Sequence, residues 1–259
     1  DFNGDGRLDV VVPNQSSGSV SVLLGKGDGT LEARVDHSVG ASPFAVAAGD
    51  LDGDEALDMV VANSGSNSLT VLYGNGEGGV RESVTLPAQV TPRSLVIADF
   101  NSDSLLDLAM IGAGDNRVGI LLQRAEGSGP DRFESLVGFP TGGSDPYELI
   151  SMDINLDGAG DLAVANYGTG RISVLLGDGT GAFSSPGLFP ADNGSISLDA
   201  GDFNEDGIPD LVVAAYSANS LGLLLGSERL TVPEDPEGSG LTTISGRGKL
   251  YDTADADFW

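Results

Sequence analysis

A chain of 259 residues with 39 acidic against 12 basic side chains, a net charge of −27, 39 Gly, 12 Pro and 40% apolar content can bury a sizeable core and is rich in turns. Acidity of that size repels phosphate backbones, and the few Lys and Arg form no basic stripe, so nucleic acid is excluded as a partner. No run approaches the roughly 20 apolar residues of a membrane-spanning helix, and the absence of Cys removes disulfides, cysteine zinc sites and thiol catalysis together.

The first element is an acidic loop, DFNGDGRLD at residues 1–9, leading into the apolar run VVVPN. It returns as DLDGDEALD from Asp50, DFNSDSLLD from Asp99, DINLDGAGD from Asp153 and DFNEDGIPD from Asp202, at spacings of 49, 49, 54 and 49. One supersecondary unit is therefore iterated. The loops lead into LDVVVPN, LDMVVAN, LDLAMIG, GDLAVAN and PDLVVAA, and then into SVSVLLG, SLTVLYG, RVGILLQ, RISVLLG and SLGLLLG. A Gly-rich turn, a more polar strand and a run such as SPFAVAAGD or PRSLVIAD complete the unit. Short β-branched runs punctuated by Gly, Asp and Asn, with no helical period, predict an all-β fold, a β-propeller of four-stranded blades. The five extra residues of the third unit fall around QRAEGSGPDR and belong in a surface hairpin. The chain starts inside a motif, with neither an initiator Met nor a signal-like segment. It is expected to be a fragment of a larger ring of about seven blades, with its targeting signal upstream.

Asp or Asn stands at loop positions one, three, five and nine in every copy. The sets are Asp1, Asn3, Asp5, Asp9; Asp50, Asp52, Asp54, Asp58; Asp99, Asn101, Asp103, Asp107; Asp153, Asn155, Asp157, Asp161; and Asp202, Asn204, Asp206, Asp210. Position seven varies freely among Arg7, Ala56, Leu105, Ala159 and Ile208, which suits a ligand supplied by the backbone carbonyl. Hard oxygen donors alternating around a tight turn fit Ca²⁺, with its six to eight oxygens, better than Mg²⁺, which keeps its waters. Asx turns could hold such loops without metal, but several carboxylates converging without a cation repel one another. Gly6, Gly158 and Gly207 occupy position six, where a sharp turn favours Gly, whereas Glu55 and Ser104 stand there in the second and third loops, whose occupancy is left open.

Together DFNGDGRLDVVVPN, SVSVLLGKGDGTL and SPFAVAAGDL resemble the FG-GAP/VCBS repeats of integrin α-chain-type propellers and of many secreted bacterial proteins, over residues 1–232. The resemblance implies one Ca²⁺ in each loop joining the first and second strands of a blade, up to five in this chain. It also implies an extracellular or cell-surface setting. Affinities of about 10⁻⁴–10⁻³ M, usual for extracellular modules, would leave such sites empty in a cytosol.

Other motifs weigh less. Gly74, Gly76 and Gly79 satisfy GxGxxG, but no helical pattern follows, so a hairpin is the better reading. Asp28, Glu77 and Asp178 read as turn formers, and His37, the only histidine, does not support a triad or a zinc site. Six residues before each later loop lie Phe44, Arg93, Tyr147 and Ile196, and six beyond each loop lie Gln15, Ser64, Ala113, Tyr167 and Tyr216. Both sets are expected on the blade ends opposite the acidic loops. Phe44, Arg93, Tyr147, Tyr167 and Tyr216 are the candidate ligand contacts, the tyrosines by stacking on sugar rings or on a partner's apolar surface.

Residues 233–243 read as an acidic Pro/Gly linker. Residues 244–259 resemble the opening strands of a pre-peptidase C-terminal-type β domain, although 241–251 could instead supply the strand missing from the first blade. The expected function is a calcium-stabilised extracellular binding or adhesion module for a protein or carbohydrate ligand, with no chemistry of its own. The alternatives are the propeller part of a secreted polysaccharide-active enzyme, a lyase or hydrolase, or a lectin.

Overall fold

A computed structural model describes residues 1–226 as two compact units, Asp1–Phe139 and a second that begins at Pro140. The end of the repeat region at 227–232, the linker at 233–243 and the second domain at 244–259 lie outside the described residues.

The first unit holds three antiparallel sheets. The first is β1 (Val10–Asn14), β2 (Ser19–Leu23) and β3 (Val35–Ser38). The second is β4 (Pro43–Gly49), β5 (Asp58–Asn63), β6 (Ser68–Gly74) and β7 (Val80–Pro87). The third is β8 (Thr91–Ala98), β9 (Asp107–Ala113), β10 (Asp115–Leu121) and β11 (Val137–Pro140). The second unit holds β12 (Pro146–Met152), β13 (Asp161–Asn166), β14 (Arg171–Leu175) and β15 (Gly187–Pro190), then β16 (Ser195–Gly201), β17 (Asp210–Ala215) and β18 (Ser220–Leu224). Strands pair in chain order within each sheet, as successive hairpins require. These are the blades of a β-propeller fold, as the repeat predicts.

The acidic loop is fixed by register. Gly49 pairs with Asp58, Ala98 with Asp107, Met152 with Asp161 and Gly201 with Asp210, so the residue before position one lies opposite position nine. Each of these four loops is thus the closed turn of a hairpin, and its side chains are gathered at one end of the blade.

Apolar faces pack blade on blade within each unit. Val60, Leu69, Val71, Leu108 and Met110 share one core between the second and third sheets, and Phe2, Val20 and Val22 meet Met59, Val61 and Leu72 in another. In the second unit Ala163, Ile172, Val174, Leu198 and Val213 do the same. A fully buried Val or Leu contributes about 1.5–3 kcal/mol, so the central strands, buried along both faces, dominate stability. The exception is β1, where Val10 and Val12 are each 40% exposed. Among the described residues no strand pairs on its inner edge, the place β4 fills beside β5.

The insertion in the third unit forms a 3-10 turn at Gly129–Arg132 between β10 and β11, closed by the Arg124 N–H to the Arg132 carbonyl at 2.7 Å. It lies in a hairpin, as expected.

Candidate functional site

The five loops share one wiring scheme. The position-one carboxylate accepts the N–H groups of positions five and six: Asp1 from Asp5 at 3.2 Å and Gly6 at 2.6 Å, and Asp153 from Asp157 at 3.0 Å and Gly158 at 2.8 Å. Position five accepts the N–H of position seven, as Asp206 does from Ile208 and Asp54 from Ala56, both at 2.9 Å. Asp5, held by the Asn3 amide and the Arg7 N–H, has its carboxyl shifted below the usual range.

Position nine has a second duty. Its Oδ2 accepts the N–H of position two, and its Oδ1 reaches the N–H sixteen residues onward, in the next hairpin. Asp58 takes Leu51 at 2.8 Å and Gly74 at 2.7 Å, and Asp107 takes Phe100 at 2.9 Å and Gln123 at 2.7 Å. Asp161 likewise takes Ile154 and Gly177, and Asp210 takes Phe203 and Gly226. Asp9 binds Phe2 and Gly25 in the same way. The sequence signal for this staple is the Gly that ends SVLLG, TVLYG and LLLG. A Cβ on Gly74 would meet the Leu57 carbonyl oxygen at 2.2 Å, so in this blade the N–H reaches the carboxylate only with Gly in place. In the third blade Gln123 takes that place, and its Nε2 donates to the Leu51 carbonyl of the neighbouring blade at 2.8 Å. Asp58, Asp107 and Asp161 have no exposed surface, and burial, only partly offset by their N–H donors, pushes each carboxyl up to about 6.

The structure revises the importance of Gly at position six. Glu55 and Ser104 both adopt φ +70°, beside +80° for Gly6 and +90° for Gly158. Their N–H groups bind Asp50 at 2.9 Å and Asp99 at 2.8 Å as in the sister loops. Position four is also left-handed throughout, even where Ser102, Leu156 and Glu205 stand there. A non-glycine residue in that conformation costs about 1–2 kcal/mol, and the surrounding hydrogen bonds hold it.

The donor set is oxygen throughout, which suits a hard cation. In the second loop one oxygen from each of Asp50, Asp52 and Asp58 lies within 4.8 Å of the others. The Asp52 side chain is only 8% exposed, and its Oδ1 is buried with no hydrogen-bond partner. A buried carboxylate oxygen without a donor is costly, and a cation at this cluster would satisfy it.

At the opposite blade ends, register breaks by one residue at the start of β4, β8, β12 and β16. The residues skipped are Phe44, Arg93, Tyr147 and Ile196. A bulge at that place re-aims the side chain, a feature the spacing alone did not show. In the first unit Phe44 is 42% exposed and Arg93 half-buried. In the second unit the Tyr147 and Tyr167 rings stand 6.2 Å apart at 41°, and the Ser217 hydroxyl donates to the Tyr167 oxygen at 3.5 Å. Tyr216, 70% exposed, begins a 3-10 turn, Tyr216–Ala218. Gln15 is exposed, and Ser64 and Ala113 are half-buried.

Asp28 and Asp178 are turn formers, each accepting a Thr hydroxyl and N–H, whereas in the second turn Asn75 does this work and Glu77 does not. His37 lies on β3 with its Nε2 buried and apart from the acidic loops.

The family model for the FG-GAP-like repeat matches residues 1–61, 50–110 and 153–213, each match running from one acidic loop into the next blade. The chain belongs to the FG-GAP-like repeat family. No curated protein matches it significantly. Among solved structures it is similar to an Agrocybe aegerita lectin that recognises non-reducing terminal N-acetylglucosamine, at 16% identity and TM-score 0.59, over 88% of this chain and 62% of that one. It is also similar to a putative 6-phosphogluconolactonase from Bacteroides fragilis, at 16% identity and TM-score 0.60, over 83% and 62%. A third is a catalytically inactive virginiamycin B lyase from Staphylococcus aureus, at 18% identity and TM-score 0.57, over 88% and 66%. The FG-GAP-like chain therefore spans less than two thirds of each of these structures, and the likeness is one of fold. No helix among its described residues is long and apolar enough to cross a membrane.

Proposed function

We propose that this chain is a calcium-stabilised extracellular β-propeller module that binds a protein or carbohydrate ligand at the blade ends opposite its acidic loops, without chemistry of its own. The observation that carries the reading is the orphaned, buried Asp52 Oδ1 inside a carboxylate cluster, within a loop design repeated five times. Calcium bound there would supply charge neutralisation and cross-linking of each loop. Positions one, three, five and nine would hold it, with the position-seven carbonyl, in up to five sites. The ligand reading rests on Tyr147 and Tyr167 beside Ser217: tilted rings with a hydroxyl at their edge offer a stacking surface and a polar contact, as sugars require. A lectin with a similar fold makes carbohydrate the first class to try.

Titration calorimetry with CaCl₂ and metal analysis of the dialysed protein test the first half. No calcium uptake, together with an unchanged melting temperature in chelator, would sink it. A glycan array probed with the native chain and with Tyr167→Ala tests the second half, and binding that survives the substitution would remove the tyrosine pair from the ligand site.

A further inference from the structure

The second loop differs from its sisters in one respect that the repeat makes measurable. In the other four, the position-three Asn ties itself to position five: the amides of Asn3, Asn101, Asn155 and Asn204 donate to Asp5, Asp103, Asp157 and Asp206 at 3.1, 3.0, 2.9 and 2.9 Å. Asp52 has no amide to donate. Its place as donor is taken by Arg81, from β7, whose Nη2 contacts Asp52 Oδ2 and lies 3.1 Å from Asp54 Oδ2. Arg132, from the third blade's insertion, approaches the same Asp52 oxygen at 3.7 Å. Both guanidinium groups flank the buried Tyr73 ring, at 5.5 and 5.1 Å from its centroid, and Arg81 Nε also donates to the Gly74 carbonyl at 2.8 Å. Arg81 is therefore seated by contacts independent of the carboxylates.

The charges differ accordingly. Four carboxylates converge in this loop where the others have three, and two guanidinium groups stand against them. The first loop has only Arg7, from within the loop and half in solvent, 3.3 Å from Asp5. The geometry points to Arg81, backed by Arg132, as a tethered cation that competes with calcium at the second loop. It would hold the loop shut when calcium is scarce and make this the last site to fill. This rests on the calcium reading above. A fixed unit charge beside a divalent ion at a protein surface opposes binding on the order of tenfold.

The test compares the native chain with Arg81→Gln and with the double variant Asp52→Asn/Arg81→Gln, which restores the composition of the sister loops. Each is followed by calcium calorimetry and by thermal melting with and without calcium. Arg81→Gln should lower the melting temperature of the metal-free protein, yet raise the affinity of the weakest site by about tenfold. The double variant should recover metal-free stability and bind at that loop as the sisters do. A merely structural ion pair would move the melting temperature and leave calcium affinity unchanged. Calcium uptake that is unaltered or weakened in both variants would overturn the competition while leaving the calcium reading intact. If no variant takes up calcium, both readings fall.

Discussion

Asp161 gives the acidic loops a measurable pH dependence. It has no exposed surface, and burial raises its carboxyl from an ordinary 3.8 to about 6 despite the N–H groups of Gly177, Ile154 and Asn155. A carboxyl whose folded pKa lies above its unfolded one binds the proton more tightly when folded. Its contribution is then fully present below the unfolded value and is lost as pH rises through about 6. The rise from 3.8 to about 6 corresponds to about 3 kcal/mol over the whole titration and to about 2 kcal/mol between pH 4.5 and pH 7.5, since the unfolded carboxyl is already mostly ionised at pH 4.5. The metal-free protein should therefore melt lower at pH 7.5 than at pH 4.5, by on the order of 4–8 °C for this group. Asp161→Asn removes this group's share of the dependence, although its amide NH2 must face one of the N–H donors that the two carboxyl oxygens now accept. Its metal-free form should melt below the native protein at pH 4.5, lose less than the native protein does on going to pH 7.5, and gain less from calcium. Scanning calorimetry of dialysed protein across that range, with and without CaCl₂, makes the comparison. Equal pH slopes for the two metal-free proteins would refute the assignment of the slope to this buried charge.

Other substitutions test the loop and core geometry separately. Ser104→Gly, at φ +70°, should stabilise the protein by about 0.5–1 kcal/mol in urea unfolding, since the left-handed turn is already formed. Gly143→Ala would place a Cβ 2.2 Å from the Cγ of buried Asn166 and disturb its 2.8 Å bond to Ser173, costing about 2–4 kcal/mol. Gly158→Ala, in open space at φ +90°, should cost only about 1 kcal/mol, so equal losses in the two would contradict the packing argument. Asp157→Ala removes an exposed position-five carboxylate. It should cost the metal-free protein about 1 kcal/mol through its lost bonds to Ala159 and Asn155, while lowering calcium stoichiometry by one and forfeiting about 2.7 kcal/mol more at hundredfold saturation.

The repeat, the blade and the acidic loop were all legible in the sequence, because each is written locally. Strand alternation, a Gly-rich turn and oxygen donors at fixed spacing act over fewer than ten residues, and five copies in phase make a chance pattern untenable. Position six was over-read, since Gly is preferred there for its own backbone freedom, yet Glu55 and Ser104 are held in the same conformation by hydrogen bonds to Asp50 and Asp99. Contacts across hairpins and between blades are set only by folding. The double use of each position-nine carboxylate joins residues sixteen apart, and the bulge that sets Tyr147 out of register arises where two strands meet. Arg81 reaches Asp52 across 29 residues of chain, and Arg132 arrives from the next blade. No periodicity encodes such pairings, because their distances are fixed by how sheets stack and by which buried charge remains to be neutralised once they have.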